Sequence, residues 1–241
     1  MSTVAAVGRR YLPRGWADFG WQLAIWFGFL FAYQLARGLA DRNPAKAFAN
    51  GDKIVRFEEH FTNRLYELTF QQFVDQRAWL AGLVSWTYWN SEFTVLGLAL
   101  LYVYFRRNDA FIKFRNSILL ANVLGLIGYV FMPTAPPRLL GVGFVNAHRD
   151  GLVQLAANPY AAFPSLHAGD SLIVGIVLCS ISKHWWSKLF WALWPAWVWF
   201  VVMATGNHFW VDCIAGVLVA LVAMAIVYRP DLRRVAAVHR A

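Results

Sequence analysis

The feature that most limits this chain is a series of long apolar runs. Several reach the ~20 residues that a helix needs to cross a ~30 Å hydrocarbon layer. Only 15% of the 241 residues are charged, and 59% are hydrophobic. An average soluble domain carries roughly a quarter charged residues. The deficit lies in the runs, which must be buried in lipid. The fold expected is therefore all-α: one polytopic membrane domain over 1–241 with six transmembrane helices. The spans read as Phe19–Ala36, 79–105, 116–133, 165–181, 187–205 and 208–228. No internal repeat or low-complexity tract is visible. The first run lacks a small-residue cleavage site after it and is expected to stay as a helix.

The net charge is +9, which in a soluble protein would raise nucleic acid as a partner. Here the bases stand in short segments between apolar runs, which points to topology, and no nucleic-acid partner is expected. With the N-terminus inside, the inner segments hold Arg9, Arg10, Arg14, Arg106, Arg107, Lys113, Arg115, Lys183, Lys188, Arg229, Arg233, Arg234 and Arg240. Their acids are only Asp18, Asp109 and Asp231. The outer segments are nearly balanced by Asp52, Glu58, Glu59, Glu67, Asp75 and Asp150. The positive-inside rule then puts both termini in the cytoplasm, with the cell membrane as the expected location. Trp185, Trp186, Trp191 and Trp194 cluster near an inner loop, as an interfacial belt would. Cys179 and Cys213 fall inside apolar runs and read as small core hydrophobes.

Residues 54–74 differ from the spans. Ile54, Phe57, Phe61, Leu65 and Leu68 recur at helical spacing, with Arg56, Glu58, Glu59, Asn63, Arg64 and Glu67 between them. An amphipathic helix on the outer membrane surface is expected, with a helix packed over a loop as the plainer alternative. Neither assigns it chemistry.

Ionisable groups at membrane depth are costly and usually functional. Six spans bring four polar clusters to one face: Thr134–Arg138, Pro164–His167 followed by Asp170, Gly206–His208 followed by Asp212, and Asn90 with Glu92. His208 and Asp212 are four apart on a helix and share a face. The carboxylate can fix the imidazole tautomer, leaving the other nitrogen to attack an electrophile. A purely structural His–Asp pair has the same spacing. His167 adds a ring that titrates near neutrality when unperturbed. Ser165 and the first N–H groups of the fourth span can cradle an anion, and Pro164 suits a helix start. Arg138 can clamp two phosphoryl oxygens with its planar fork. His167, His208 and Asp212 could in principle hold zinc. The helix-borne His-x-x-x-His pair is absent, however, and Arg138 opposes a dication, so neither a metal nor another cofactor is expected. A proton relay through His167, Asp170, Glu92 and Asp212 in a transporter is a further alternative, but no repeat symmetry supports it.

Thr134-Ala135-Pro136-Pro137-Arg138, Pro164-Ser165-Leu166-His167 and Gly206-Asn207-His208-Phe209-Trp210-Val211-Asp212 together resemble the three motifs of the type 2 phosphatidic acid phosphatase superfamily. The chain is most similar to the branch that contains inositol phosphorylceramide synthase. The resemblance implies a six-helix catalytic core over 79–228 and a metal-independent reaction. It implies His208 as nucleophile forming a phosphohistidine, Asp212 orienting it, and His167 as acid/base. Arg138 and Ser165, with Asn207, would hold the phosphoryl oxygens. Two family cations are replaced, a Lys by Phe131 and an Arg by Val202. Asp170, Glu92 and Asn90 are candidates for an acceptor or headgroup pocket. The implied activity is transfer of a phosphoryl or phospho-headgroup from a phospholipid donor to inositol or another polyol. A lipid phosphate phosphatase, with water as acceptor, is the alternative.

Overall fold

The computed structural model describes residues 12–40, 43–144 and 160–238. Arg9, Arg10, Asp150 and Arg240 lie outside them, as do the side chains of Glu92, Asp231, Arg233 and Arg234. The elements are helical throughout: α1 (Gly15–Ala40), α2 (Pro44–Thr62), α3 (Tyr66–Asp75), α4 (Ala78–Asn90), a π-helical turn (Ser91–Val95), α5 (Leu96–Arg106), α6 (Asn108–Phe131), a 3₁₀ turn (Pro137–Leu139), α7 (Leu166–Ile181), α8 (Trp185–Ala204) and α9 (Trp210–Val238). Among the described residues, Asn108–Phe131, Trp185–Ala204 and Trp210–Arg229 are each long and apolar enough to cross a membrane. Phe93–Arg106 and Leu166–Ile181 are shorter apolar helices. The run expected over 79–105 is helical from end to end, but Ser91–Val95 widens it by a π turn.

α7 is the central helix and packs on α6, α8 and α9. Lipid supplies no hydrophobic drive between helices, so close approach depends on small residues. Gly169 and Gly175 supply them. A Cβ on Gly169 would stand 2.9 Å from the Gly216 carbonyl oxygen, and one on Gly175 would stand 2.7 Å from that of Trp191. Ile173, Val174, Val177 and Leu178 fill the same interior with Phe114, Ile118, Val198 and Ala220. The outside is apolar as well: Trp185, Trp186, Leu189, Phe190 and Leu193 are all exposed. Exposed apolar surface on that scale marks a membrane-facing protein.

The single amphipathic helix expected over 54–74 is instead two helices, and the side that carries Glu58 and Glu67 is buried against protein. Asn63 sits in the left-handed region at φ 55° and ends α2, its N–H donating to the Glu59 carbonyl. α2 starts at Pro44, where the Asn43 side chain accepts the Lys46 N–H. Its inner face is Ala47, Asn50, Gly51, Ile54, Val55 and Glu58, whereas Phe57 and Phe61 are 45% and 65% exposed. α3 likewise buries Glu67, Gln71 and Val74 and exposes Tyr66 and Phe73. The cause is the close seam with the segment after α6. Ala135 N–H donates to the Ala47 carbonyl at 2.9 Å, and Asn50 Nδ2 donates to the Pro133 carbonyl at 2.9 Å. Only small or hydrogen-bonding residues fit there, so the large rings turn outward.

Candidate active site

The site forms where α6 and α8 end and α7 and α9 begin. Backbone hydrogen bonds join these ends. Thr134 N–H donates to the Tyr160 carbonyl at 2.8 Å, and Ala162 N–H donates to that of Thr134 at 3.2 Å. Ser165 N–H donates to the Asp212 carbonyl at 3.0 Å, and Arg138 N–H donates to that of Gly206 at 3.0 Å. The last bond needs Gly206 at φ +65°, a conformation that a side chain disfavours. A Cβ there would also strike the Phe144 ring.

His208 is nearly enclosed. Its Nδ1 lies 2.8 Å from the Ala162 carbonyl oxygen. A carbonyl only accepts, so Nδ1 must carry the hydrogen, and the neutral ring then has its lone pair on Nε2. The expected orienting bond from Asp212 differs: its Oδ2 is 3.7 Å from Nδ1. That oxygen accepts the Phe209 N–H at 2.8 Å instead. An acid at the third helical position, reaching back to the N–H of the residue just before the helix, makes a capping contact at the start of α9, and this competes for the carboxylate. Asp212 is therefore a near neighbour of the ring, and a main-chain carbonyl is its hydrogen-bond partner. The His167 ring stands with its centroid 5.5 Å from that of His208, tilted by 58°. Tyr88 stacks on the His167 ring at 5.1 Å and 15°.

Arg138 Nε donates to Asn207 Oδ1 at 2.8 Å. The four remaining guanidinium N–H groups are on the terminal nitrogens, suited to a pair of phosphoryl oxygens. Burial lowers the Arg138 pKa from its ordinary value, with Tyr88 acting the other way. Asn207, expected to touch phosphate, holds Arg138, and its Nδ2 donates to Thr205 Oγ1 at 2.8 Å. Ser165 is fully buried as the N-cap of α7, its oxygen accepting the Ala168 N–H at 3.3 Å. Asp170 is buried between α6 and α7, where Asn122 Nδ2 donates to its oxygens at 3.0 and 2.9 Å. Asn90 bonds along its own helix, to the Trp86 carbonyl and Thr94 Oγ1. Glu92 belongs to the π turn. Of the two replaced cations, Val202 is buried in the main apolar cluster. Phe131 points outward at 74% exposure. On the rim at 131, Lys46 Nζ donates to the Phe131 carbonyl at 3.0 Å.

Glu58 and Glu67 were not anticipated at this site, and both are 0% exposed. Glu67 Oε1 accepts the Trp210 N–H at 2.7 Å, and Glu58 Oε1 accepts the Val211 N–H at 3.1 Å. Burial and the neighbouring Glu67 push the Glu58 pKa up to about 9. Burial also raises that of Glu67. For Glu58 the signal in the sequence was its register with Ala47, Gly51 and Ile54, not the aromatic spacing.

Residues 52–226 match the family described as the PAP2 superfamily. The chain is 26% identical over 144 residues to the phosphoinositol dihydroceramide synthase of Bacteroides thetaiotaomicron, covering 50% of this chain and 47% of that protein. It is 26% identical over 131 residues to the inositol phosphorylceramide synthase of Candida albicans, covering 42% and 26%. The match thus spans less than half the length of either relative. The crystal structure of Aquifex aeolicus LpxE superposes with a TM-score of 0.55 at 20% identity, over 68% of this chain and 94% of that one. That likeness is one of fold.

Proposed function

The chain belongs to the PAP2 superfamily, and on that basis we propose that it is a membrane-embedded lipid phosphotransferase acting through a phosphohistidine on His208. The observation that carries this reading is the seating of His208. Its Nδ1 is 2.8 Å from a carbonyl oxygen and its ring 5.5 Å from that of His167. Nε2 attacks phosphorus as the bond from phosphorus to the lipid oxygen breaks, and protonated His167 gives its proton to that oxygen. Neutral His167 then takes the proton of an acceptor hydroxyl. The acceptor oxygen bonds to phosphorus, and the P–N bond breaks. Arg138 stabilises charge on the phosphoryl oxygens, the main task in such transfers.

In this reading α1, the continuous α4–α5 path, α6, α7, α8 and α9 are six spans. Arg106, Arg107, Lys183, Lys188 and Arg229 face the cytoplasm with both termini, and the site opens on the outer face of the cell membrane. α2 and α3 lie at that interface with Phe57, Phe61 and Phe73 turned to lipid. The relatives' names make an inositol phospholipid and a ceramide the first donor and acceptor to test, with free inositol as the polyol alternative. Purified protein in lipid nanodiscs is incubated with labelled phosphatidylinositol, with and without ceramide or inositol. A new headgroup-bearing product that requires acceptor, and an acid-labile adduct absent from His208→Ala, are expected. Release of headgroup or phosphate to water alone makes it a hydrolase. Undiminished turnover by His208→Ala refutes the nucleophile.

A further inference from the structure

Two carboxyl groups with no exposed surface grip consecutive N–H groups of α9, two and three residues after His208. Glu67 comes from α3 and holds Trp210, and Glu58 comes from α2 and holds Val211. Among the described residues, their other oxygens, Glu58 Oε2 and Glu67 Oε2, meet no N–H or hydroxyl donor. The titratable groups facing them are each other, together with Asp212 and Cys213 of α9. Two adjacent buried carboxyls cannot both ionise cheaply, and sharing one proton satisfies the oxygens that lack a donor. The positive end of α9 favours one negative charge there, not two.

We propose that Glu58 and Glu67 form a one-proton carboxyl clasp on the first turn of α9, a positioning device that holds His208 for attack and loosens when the proton is lost. It rests on the assignment of His208 as nucleophile. Neither acid touches the reacting atoms. Both act through the backbone of Trp210 and Val211, which sets where His208 meets the Ala162 carbonyl. The clasp ties the two interfacial helices to the catalytic helix, giving α2 and α3 a part in the reaction.

The test uses the full-length protein in nanodiscs, with two readouts. The first needs no turnover: infrared difference spectra at neutral pH of wild type against Glu58→Gln and against Glu67→Gln. A protonated-carboxyl stretch is expected in wild type and lost in both variants, because either substitution leaves a single carboxylate that needs no shared proton. Absence of that band from wild type, or its survival in both variants, overturns the clasp whatever the enzyme does. The second readout is the pH profile of headgroup transfer. Glu58→Ala should lower kcat roughly tenfold or more with little change in KM, as misplacement of a reacting group does. Glu58→Gln, which keeps the acceptor oxygen, should recover most of that loss and shift the alkaline fall in kcat to higher pH. An alkaline limb identical in wild type and Glu58→Gln overturns the proposed loosening. If no lipid donor reacts with wild type while the band behaves as expected, the functional reading fails and the clasp stands.

Discussion

Replacing Asn207 with alanine removes the acceptor on which Arg138 Nε rests at 2.8 Å. A hydrogen bond with one charged partner contributes roughly 1.5–3 kcal/mol. Each ~1.4 kcal/mol is a factor of ten in rate, so full expression at the transition state would lower kcat/KM by roughly 10- to 150-fold. Arg138 keeps its main-chain bond to the Gly206 carbonyl at 3.0 Å. The guanidinium therefore swings rather than leaves, and a loss of about 10- to 30-fold is expected. The structure makes Asn207 a holder of Arg138, and a double-mutant cycle separates that from direct contact with phosphate. Arg138→Lys keeps the charge but has no fork for Asn207 to hold. In that background Asn207→Ala should cost less than about twofold, since its target is already gone. Initial rates of headgroup transfer for the four proteins supply the cycle. Losses that multiply across the two sites would refute the reasoning and return Asn207 to the phosphate.

Three further outcomes follow from other contacts. A methyl on Gly216 would overlap the Ser165 carbonyl, so Gly216→Ala should destabilise the protein by about 1–3 kcal/mol, seen as a lower Tm in detergent; an unchanged Tm would mean that the α7–α9 seam yields freely. Tyr88→Ala removes the ring stacked on His167 at 5.1 Å and should lower kcat by roughly 2- to 12-fold, the worth of an aromatic pair. Tyr88→Phe keeps the stack and should retain most activity, and equal losses for both would place the effect in the hydroxyl. Burial holds the Glu58 pKa up at about 9 in the folded protein, whereas an unfolded chain releases that proton near the ordinary carboxyl value of 4.5. The folded state then binds more protons across that window, so stability falls as pH rises through it. Tm should decline between these limits in wild type and decline less in Glu58→Gln; parallel slopes would count against a buried proton.

The all-helical, apolar character of the chain and the order of the motifs were legible because lipid imposes length and apolarity on a helix that crosses it, and the motif residues stand in order at Arg138, His167 and His208. The partners were not legible, because they depend on which groups lie nearest in space. Asp212 has the right spacing for His208, yet the N–H of Phe209 competes for its oxygen and wins by about an ångström of distance. Asp170 looked available for an acceptor, and Asn122, from a different helix, holds it. For Glu58 and Glu67 the aromatic spacing marked the outward face and left the inner one unread. At a lipid interface the phenylalanines are at home on the outer face, and the polar face opposite them can be buried against protein. Ala47, Asn50 and Gly51 could have indicated the true inner face, since small residues at helical spacing mark close packing whatever the solvent.

The Ala162 carbonyl has a consequence for how such a site changes over time. Its oxygen belongs to the main chain, so every amino acid at 162 offers the same acceptor. Substitutions that fit the space can drift there without removing the hydrogen-bond partner of His208 Nδ1. Comparison of side chains, or an alanine scan, would pass over the main-chain acceptor against which the His208 ring is seated. What selection can act on is the path of the strand-like segment, through Thr134 and Tyr160. Loss of activity from changes there, with every recognised motif residue intact, would be inherited as a fault of backbone placement rather than of chemistry.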